Sequence, residues 1–321
     1  MNTMRIAICG NGKIAHEAIF ALQHVEGTDV VAVCVRPQSI DKGRALCEEY
    51  HIGRLYTDFD EMLACADIDF VYVGIVNSMH YEYGMKALLA GKHVIMEKPF
   101  TATLQQAEEL RQTAISRHLY LFEAVTLFYV DNYAIVKRHL PDIGPVRLVQ
   151  SNYSQYSSRY DRYLDGEIAP VFDPKQAGGA MGDINVYNLN LVVGLFGMPK
   201  EVIRRDNRGF NGVDTSGVAL LVYDGFIATC CGAKDSASPG FAIIQGEKGY
   251  IHVKGIPSIL EEIEVVTPGN STNYSLPPMP HRMVPEFLEM VRMYHDNDYD
   301  AMVRHLDVTL DVMRVLTSPC S

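Results

Sequence analysis

Lys98, Asp183 and Tyr187 are the residues of this sequence whose types and spacing best suit acid/base chemistry on an alcohol or a carbonyl. When an alcohol becomes a carbonyl its hydroxyl proton must leave, and a phenol can take it. A free phenol titrates at about 10, too high for a base at neutral pH. A nearby ammonium stabilises the phenolate and, in the reverse direction, polarises the carbonyl oxygen. Asp183 and Tyr187 lie four residues apart, so on a helix they stack one turn from each other, with Asn190 three positions further along the same face. Alone, such a pair reads as a capping aspartate and a packing tyrosine. The first half of the chain is what turns it into candidate chemistry.

That half opens with a short apolar run, Met4 to Cys9, stopped by Gly10-Asn11-Gly12-Lys13-Ile14-Ala15 and followed by helical spacing through Leu22. The pattern G-x-G-x-x-A lets a backbone turn sharply, approach a pyrophosphate and aim a helix N-terminus at it. A second apolar run, Asp29 to Val35, ends in Arg36 rather than in the carboxylate that holds a ribose 2′-hydroxyl. A cation there suits a 2′-phosphate, so NADP is expected, with NAD as the alternative. An Arg36 that simply points into solvent is the competing account.

The elements that must position these residues follow the same rhythm. Apolar strands are predicted at 54–56, 69–76, 92–96 and 119–124, separated by helices at 41–50, 58–65, 81–90 and about 104–116. Such alternation is the mark of a doubly wound parallel sheet. Lys98 follows the strand that ends at Met96 and Glu97, and Pro99 drives it towards extended geometry. An ammonium there is expected to reach the crevice at the carboxyl ends of the strands, where open α/β sheets bind ligands.

The second half predicts strands at 146–153, 201–207, 217–223, 226–231, 242–246 and 249–253, turn residues between them favouring antiparallel pairing. A helix opened by residues 178–190 would carry Asp183 and Tyr187, its apolar stripe Val186, Leu189, Val193 and Phe196 facing inward. Two amphipathic helices, 284–297 and 301–316, close the chain. Segment 153–163 crowds four tyrosines and two arginines. It is a solvated loop or a substrate-facing one, with Tyr156 and Arg159, together with Asn190 of the helix, as candidate contacts to a polyol or carboxylate.

With 321 residues the chain suits two domains, 1–124 and 125–321. A net charge of −11 argues against a nucleic-acid surface. No apolar run is long enough to span a membrane. Seven cysteines without CxxC spacing read as reduced thiols of a cytoplasmic protein, and no His/Cys/carboxylate spacing suggests a metal.

Four segments in order, GNGKIA at 10–15, VNSMH at 76–80, GKHVIMEKP at 91–99 and FEA at 122–124, resemble the Gfo/Idh/MocA family of NAD(P)-dependent oxidoreductases. The resemblance resumes over 178–197. It implies an N-terminal Rossmann domain, a C-terminal α/β domain with a large, mainly antiparallel open sheet, and a dimer or tetramer built on that sheet. It places Asn77, His80, Glu97 and Lys98 at the nicotinamide end of the cofactor and makes Asp183 and Tyr187 a D-x-x-x-H/Y motif of the tyrosine type, as in the glucose-fructose oxidoreductase and dihydrodiol dehydrogenase members. It implies hydride transfer at a carbinol carbon of a sugar, polyol or cyclic diol. Val125 to Phe128 lack an arginine that many members carry after Glu-Ala, so no contact is assigned there. A dinucleotide-sensing regulator on the same fold is the reading from another class.

Overall fold

The structure, a computed structural model, describes residues 3–320. The described residues form two compact units: one of residues 3–124 plus 279–310, the other of residues 125–278 plus 311–320.

In the first unit, strands and helices alternate: β1 (Met4–Cys9), α1 (Lys13–Leu22), β2 (Thr28–Cys34), α2 (Ile40–Tyr50), β3 (Leu55–Tyr56), α3 (Phe59–Leu63), β4 (Phe70–Val73), α4 (His80–Leu89), β5 (His93–Glu97), α5 (Leu104–Ser116) and β6 (Leu121–Ala124). The six strands make one parallel sheet in the order β3-β2-β1-β4-β5-β6. Every residue of β4 is buried, and so are four of five in β5, because helices cover both faces. Side-chain caps start two helices: Asp58 accepts from the Glu61 N–H at 2.9 Å and Thr103 from that of Gln106 at 3.3 Å.

The second unit carries α6 (Asp131–His139), β7 (Val146–Ser154), α7 (Tyr160–Leu164), a single π-helical turn at Met181–Asn185, and α8 (Val186–Phe196). Then follow β8 (Glu201–Arg208), β9 (Asp214–Val222), β10 (Ile227–Ala233), β11 (Phe241–Gly246), β12 (Gly249–Lys254), β13 (Glu262–Thr267) and β14 (Asn270–Ser275). These form an eight-stranded sheet, β14-β13-β12-β11-β7-β10-β9-β8, antiparallel throughout except for the β7–β10 pair. The mainly antiparallel open sheet is thus observed. Its last two strands were not foreseen, since β14 reads Asn-Ser-Thr-Asn-Tyr-Ser and offers no apolar alternation, as suits an exposed edge.

The closing helices are α9 (Val284–His295) and α10 (Tyr299–Leu316). Here the observed division differs from the expected one: residues 279–310 belong with the first unit rather than with a continuous second domain 125–321. The reason is packing. Phe287 and Met290 are buried, the Tyr294 ring meets Phe70 edge-on at 5.1 Å, and Tyr120 donates to the Met293 carbonyl at 3.2 Å. Among the described residues no helix is long and apolar enough to cross a membrane.

Candidate active site

The glycine turn is built as a phosphate cradle. Gly10 sits at φ +119°, and a Cβ there would lie 2.3 Å from the Gly74 carbonyl oxygen, so no other residue fits where β1 and β4 approach. Gly12 is different: a Cβ on it meets nothing within 4 Å, leaving open space above the turn. Gly12 also stands at the N-cap of α1 with no side chain capping the helix, so the first-turn N–H groups face that space. The Asn11 Nδ2 is buried there with no hydrogen-bond partner, as a donor awaiting an acceptor would be. Ile14 lies against Gly74, and the exposed Lys13 ammonium is 3.5 Å from Glu17. These residues fit a dinucleotide pyrophosphate. Just past β2, Val35 is buried and Arg36 exposed, its guanidinium without a hydrogen-bond or ion-pair partner among the described residues.

Around Lys98 the surroundings are unusually charged for an interior. The Lys98 N–H donates to Glu97 Oε2 at 3.2 Å, and the buried Tyr72 hydroxyl donates to Glu97 Oε1 at 2.5 Å. Burial pushes the Glu97 carboxyl up, against the pull of the Tyr72 hydrogen bond and the Lys98 and Arg282 charges. On the neighbouring strand Glu123 accepts from Thr309 at 2.8 Å. Burial raises its carboxyl to about 7, the Thr309 bond opposing and the Glu97 charge adding to the rise. The Lys98–Pro99 peptide bond is cis.

Two of the family-implied residues here are buried. His80 is fully buried, its Nδ1 3.0 Å from the Pro99 carbonyl oxygen and its Nε2 3.2 Å from that of Ile75. Burial lowers its pKa, the neighbouring carbonyls opposing. It therefore pins the loop after β4 to the Lys98-Pro99 turn. Glu97, 7% exposed, likewise acts inward through Tyr72. Asn77 is half-buried in the 3-10 turn that follows β4.

In the second unit the expected α-helix over 178–190 begins instead with the π-helical turn at Met181–Asn185. Gly179, at φ +134°, lies so close to Asp214 that a Cβ would meet its Oδ1 at 2.1 Å. The Asp214 carboxylate, at the start of β9, accepts from the Met181 N–H at 2.6 Å and so caps the turn that carries Asp183. Behind it, Asn185 donates to the Cys230 carbonyl at 2.9 Å, and Asn188 to that of Cys231 at 2.8 Å and to Asn185 Oδ1 at 2.7 Å. Gly232 leaves room for this approach, since a Cβ there would be 2.6 Å from that of Asn185.

Asp183 forms an ion pair with Lys234, directly after β10, a residue the sequence reading passed over. Tyr187 is half-buried, its ring 5.7 Å from that of Tyr153. Asn190, expected on the same face, is instead fully buried and donates to the Val186 carbonyl at 2.9 Å. Seven of the eleven residues of α8 are buried, and this amide lies on the covered side rather than on an open one. Tyr156 is exposed and donates to Asp161 at 2.5 Å, while Arg159 is exposed at the start of α7, its N–H 3.3 Å from Ser157 Oγ. Neither is brought to Asp183 by any hydrogen bond.

Lys234 could have been found by the signal that picked out Lys98, since each lysine directly follows an apolar strand. Tyr72 could not, because inside a fully apolar run a phenol reads as packing.

A full-length relative settles the affiliation. Over 314 residues the chain is 31% identical to scyllo-inositol 2-dehydrogenase (NADP(+)) IolU of Bacillus subtilis, covering 98% of this chain and 95% of that one. The chain belongs to the Gfo/Idh/MocA oxidoreductases. The family models place the match in both units: the oxidoreductase family with NAD-binding Rossmann fold at residues 4–124 and the GFO/IDH/MocA C-terminal domain at 141–252. Trans-1,2-dihydrobenzene-1,2-diol dehydrogenase of Xenopus tropicalis is 26% identical, over 84% of this chain and 80% of that one. In fold, the chain is similar to a variant of KijD10, a 3-ketoreductase from Actinomadura kijaniata in complex with TDP-benzene and NADP. The TM-score is 0.86 at 22% identity, with 98% and 96% of the two chains covered. The protein is an NAD(P)-dependent oxidoreductase.

Proposed function

We propose that this oxidoreductase transfers a hydride reversibly between NADP(H) and the carbinol carbon of a sugar, polyol or cyclic diol, with Tyr187 as acid/base, Lys98 as the cation that polarises the oxygen and Asp183 as the carboxylate that orients them. The observation that carries the reading is the near full-length likeness to an NADP-dependent inositol dehydrogenase. The likeness to a trans-1,2-dihydrobenzene-1,2-diol dehydrogenase supports including cyclic diols in the substrate class.

Bound dinucleotide supplies the hydride acceptor or donor at C4 of its nicotinamide. The Gly10–Ile14 turn and the Asn11 amide hold the pyrophosphate through N–H donors. Arg36 pairs with a 2′-phosphate and accounts for NADP over NAD. As the alcohol is oxidised, Tyr187 receives the hydroxyl proton, and Lys98 stabilises the negative charge that develops on oxygen. In reduction the same phenol returns the proton. His80 and Glu97 fix the Lys98 backbone, and Asn77 lies on the loop next to them. Tyr156 and Arg159 are proposed substrate contacts; Arg159→Ala should raise KM and leave kcat unchanged.

The proposed assembly is a homo-oligomer through the second sheet. Val218, Ile227 and Tyr250 are exposed apolar side chains that strand register puts on one face. Light scattering should give a dimer or tetramer mass, and a monomer would contradict it.

The function is tested by incubating the protein with NADP+ and a panel of inositols, sugars and trans-dihydrodiols. Formation of NADPH with at least one vicinal diol is expected. NADP binding without turnover on any of them would favour a sensing role.

A further inference from the structure

We infer that Lys234 is a positioning residue of the reaction: its ion pair holds the Asp183 carboxylate in one rotamer, so that the aspartate can orient the acid/base group one turn along. The inference rests on the proposed function and extends it to a residue outside the family motif.

Lys234 is 8% exposed, and an ammonium so enclosed needs a counter-charge. Of the nearby acids, Asp235 is taken up by hydroxyl donors: Thr215 and Ser216 each donate to its Oδ2 at 2.8 Å, and Ser236 to its Oδ1 at 3.0 Å. Asp183 is the carboxylate that meets the Lys234 ammonium. On its other side the ammonium lies 6.0 Å from the centre of the Phe172 ring, within cation–π range.

Both partners are locked from their backbones. The Lys234 N–H donates to the Thr215 carbonyl at 2.9 Å, and its carbonyl accepts from the Ser157 N–H at 2.9 Å. Asp183 sits in the π turn, which the Asp214 cap fixes to β9 and the Asn185 and Asn188 amides fix to β10, the strand that ends beside Lys234. The backbones that carry the pair are therefore set by the register of one helix against its neighbouring strands. Lys234 also occupies one carboxylate oxygen, Oδ2, so the direction presented by the other is determined. A surface ion pair holds no such geometry.

The test uses the full-length protein with NADPH and whichever diol or carbonyl substrate the panel identifies. Lys234→Met should lower kcat by about 10²-fold, as a slight misplacement of a reacting group does, with NADPH affinity unchanged. Lys234→Arg should recover part of that loss. The decisive arm is the double variant: Asp183→Asn/Lys234→Met should be no slower than Asp183→Asn alone, because Lys234 acts only through Asp183. Losses that multiply, or a Lys234→Met enzyme with the parental kcat, would overturn the inference. If Lys234→Met does not fold, as judged by near-UV circular dichroism, Lys234→Gln carries the same comparison. A Tyr187→Phe enzyme of full activity would sink the proposed function itself, whereas an inactive Tyr187→Phe beside a fully active Lys234→Met would sink the Lys234 role alone.

Discussion

Tyr187→Phe should cost about 10²–10⁴-fold in kcat, the range typical of a general acid or base, and Lys98→Met should bind NADPH yet lose most turnover. Stopped-flow binding and steady-state rates separate these outcomes, and a Tyr187→Phe enzyme with parental kcat removes the phenol from the mechanism. Near Lys98 a pH effect also follows. Glu123, raised from 4.5 to about 7 by burial, holds a proton in the folded state that the unfolded chain has already released. Stability from this group is full below the unfolded value and is lost as pH rises through about 7. Glu123→Gln keeps an acceptor for Thr309 and removes the titration. Its unfolding free energy should therefore decline less between about pH 5 and pH 8, by on the order of 3 kcal/mol. Parallel pH profiles for the two proteins in chemical denaturation would contradict this. At this scale the sequence revealed residues that announce themselves by position: Lys98 at a strand end, Gly10 before a helix, Arg36 where a carboxylate is usual. It concealed those whose role lies in a partner distant along the chain, such as Tyr72 on Glu97, or His80 turned inward onto two carbonyls.

At the level of elements, the glycine turn makes the sharpest forecast. Gly10→Ala puts a Cβ into the Gly74 carbonyl at a backbone angle that disfavours side chains, so β1 and β4 must part. Loss of NADPH binding together with a lowered melting temperature is expected, and an unchanged dissociation constant would mean the turn is not the phosphate cradle. The parallel sheet was legible because strands buried on both faces appear as unbroken apolar runs at regular intervals. The helix bearing Asp183 was legible in position and not in form. Spacing alone assumes 3.6 residues per turn, and the π turn at Met181–Asn185 depends on Asp214 and on the β10 carbonyls, more than thirty positions away in sequence. Asn190 was misplaced for a different reason: most of α8 is covered, and a helical wheel cannot say which polar residue faces a cover.

For the molecule as a whole, the chain order and the spatial division part company. Residues 279–310 complete the first unit, where Phe287, Met290 and Tyr294 pack on the parallel sheet and Thr309 reaches Glu123. Periodicity identified these helices, but it carries no information about which core an amphipathic face will meet. A chain ended at Pro278 should therefore lose NADPH affinity and thermal stability although its glycine turn is intact; full binding by that truncated chain would contradict the division. The most direct test is NADPH formation from NADP+ and a panel of vicinal diols, run side by side with the parental and Tyr187→Phe proteins at equal NADPH affinity. Turnover of at least one cyclic polyol, sugar or dihydrodiol is expected of the parental enzyme, and a loss of about 10²-fold or more of the variant. Equal rates in the two proteins, or no turnover of any diol by the parental enzyme, would contradict the proposed function.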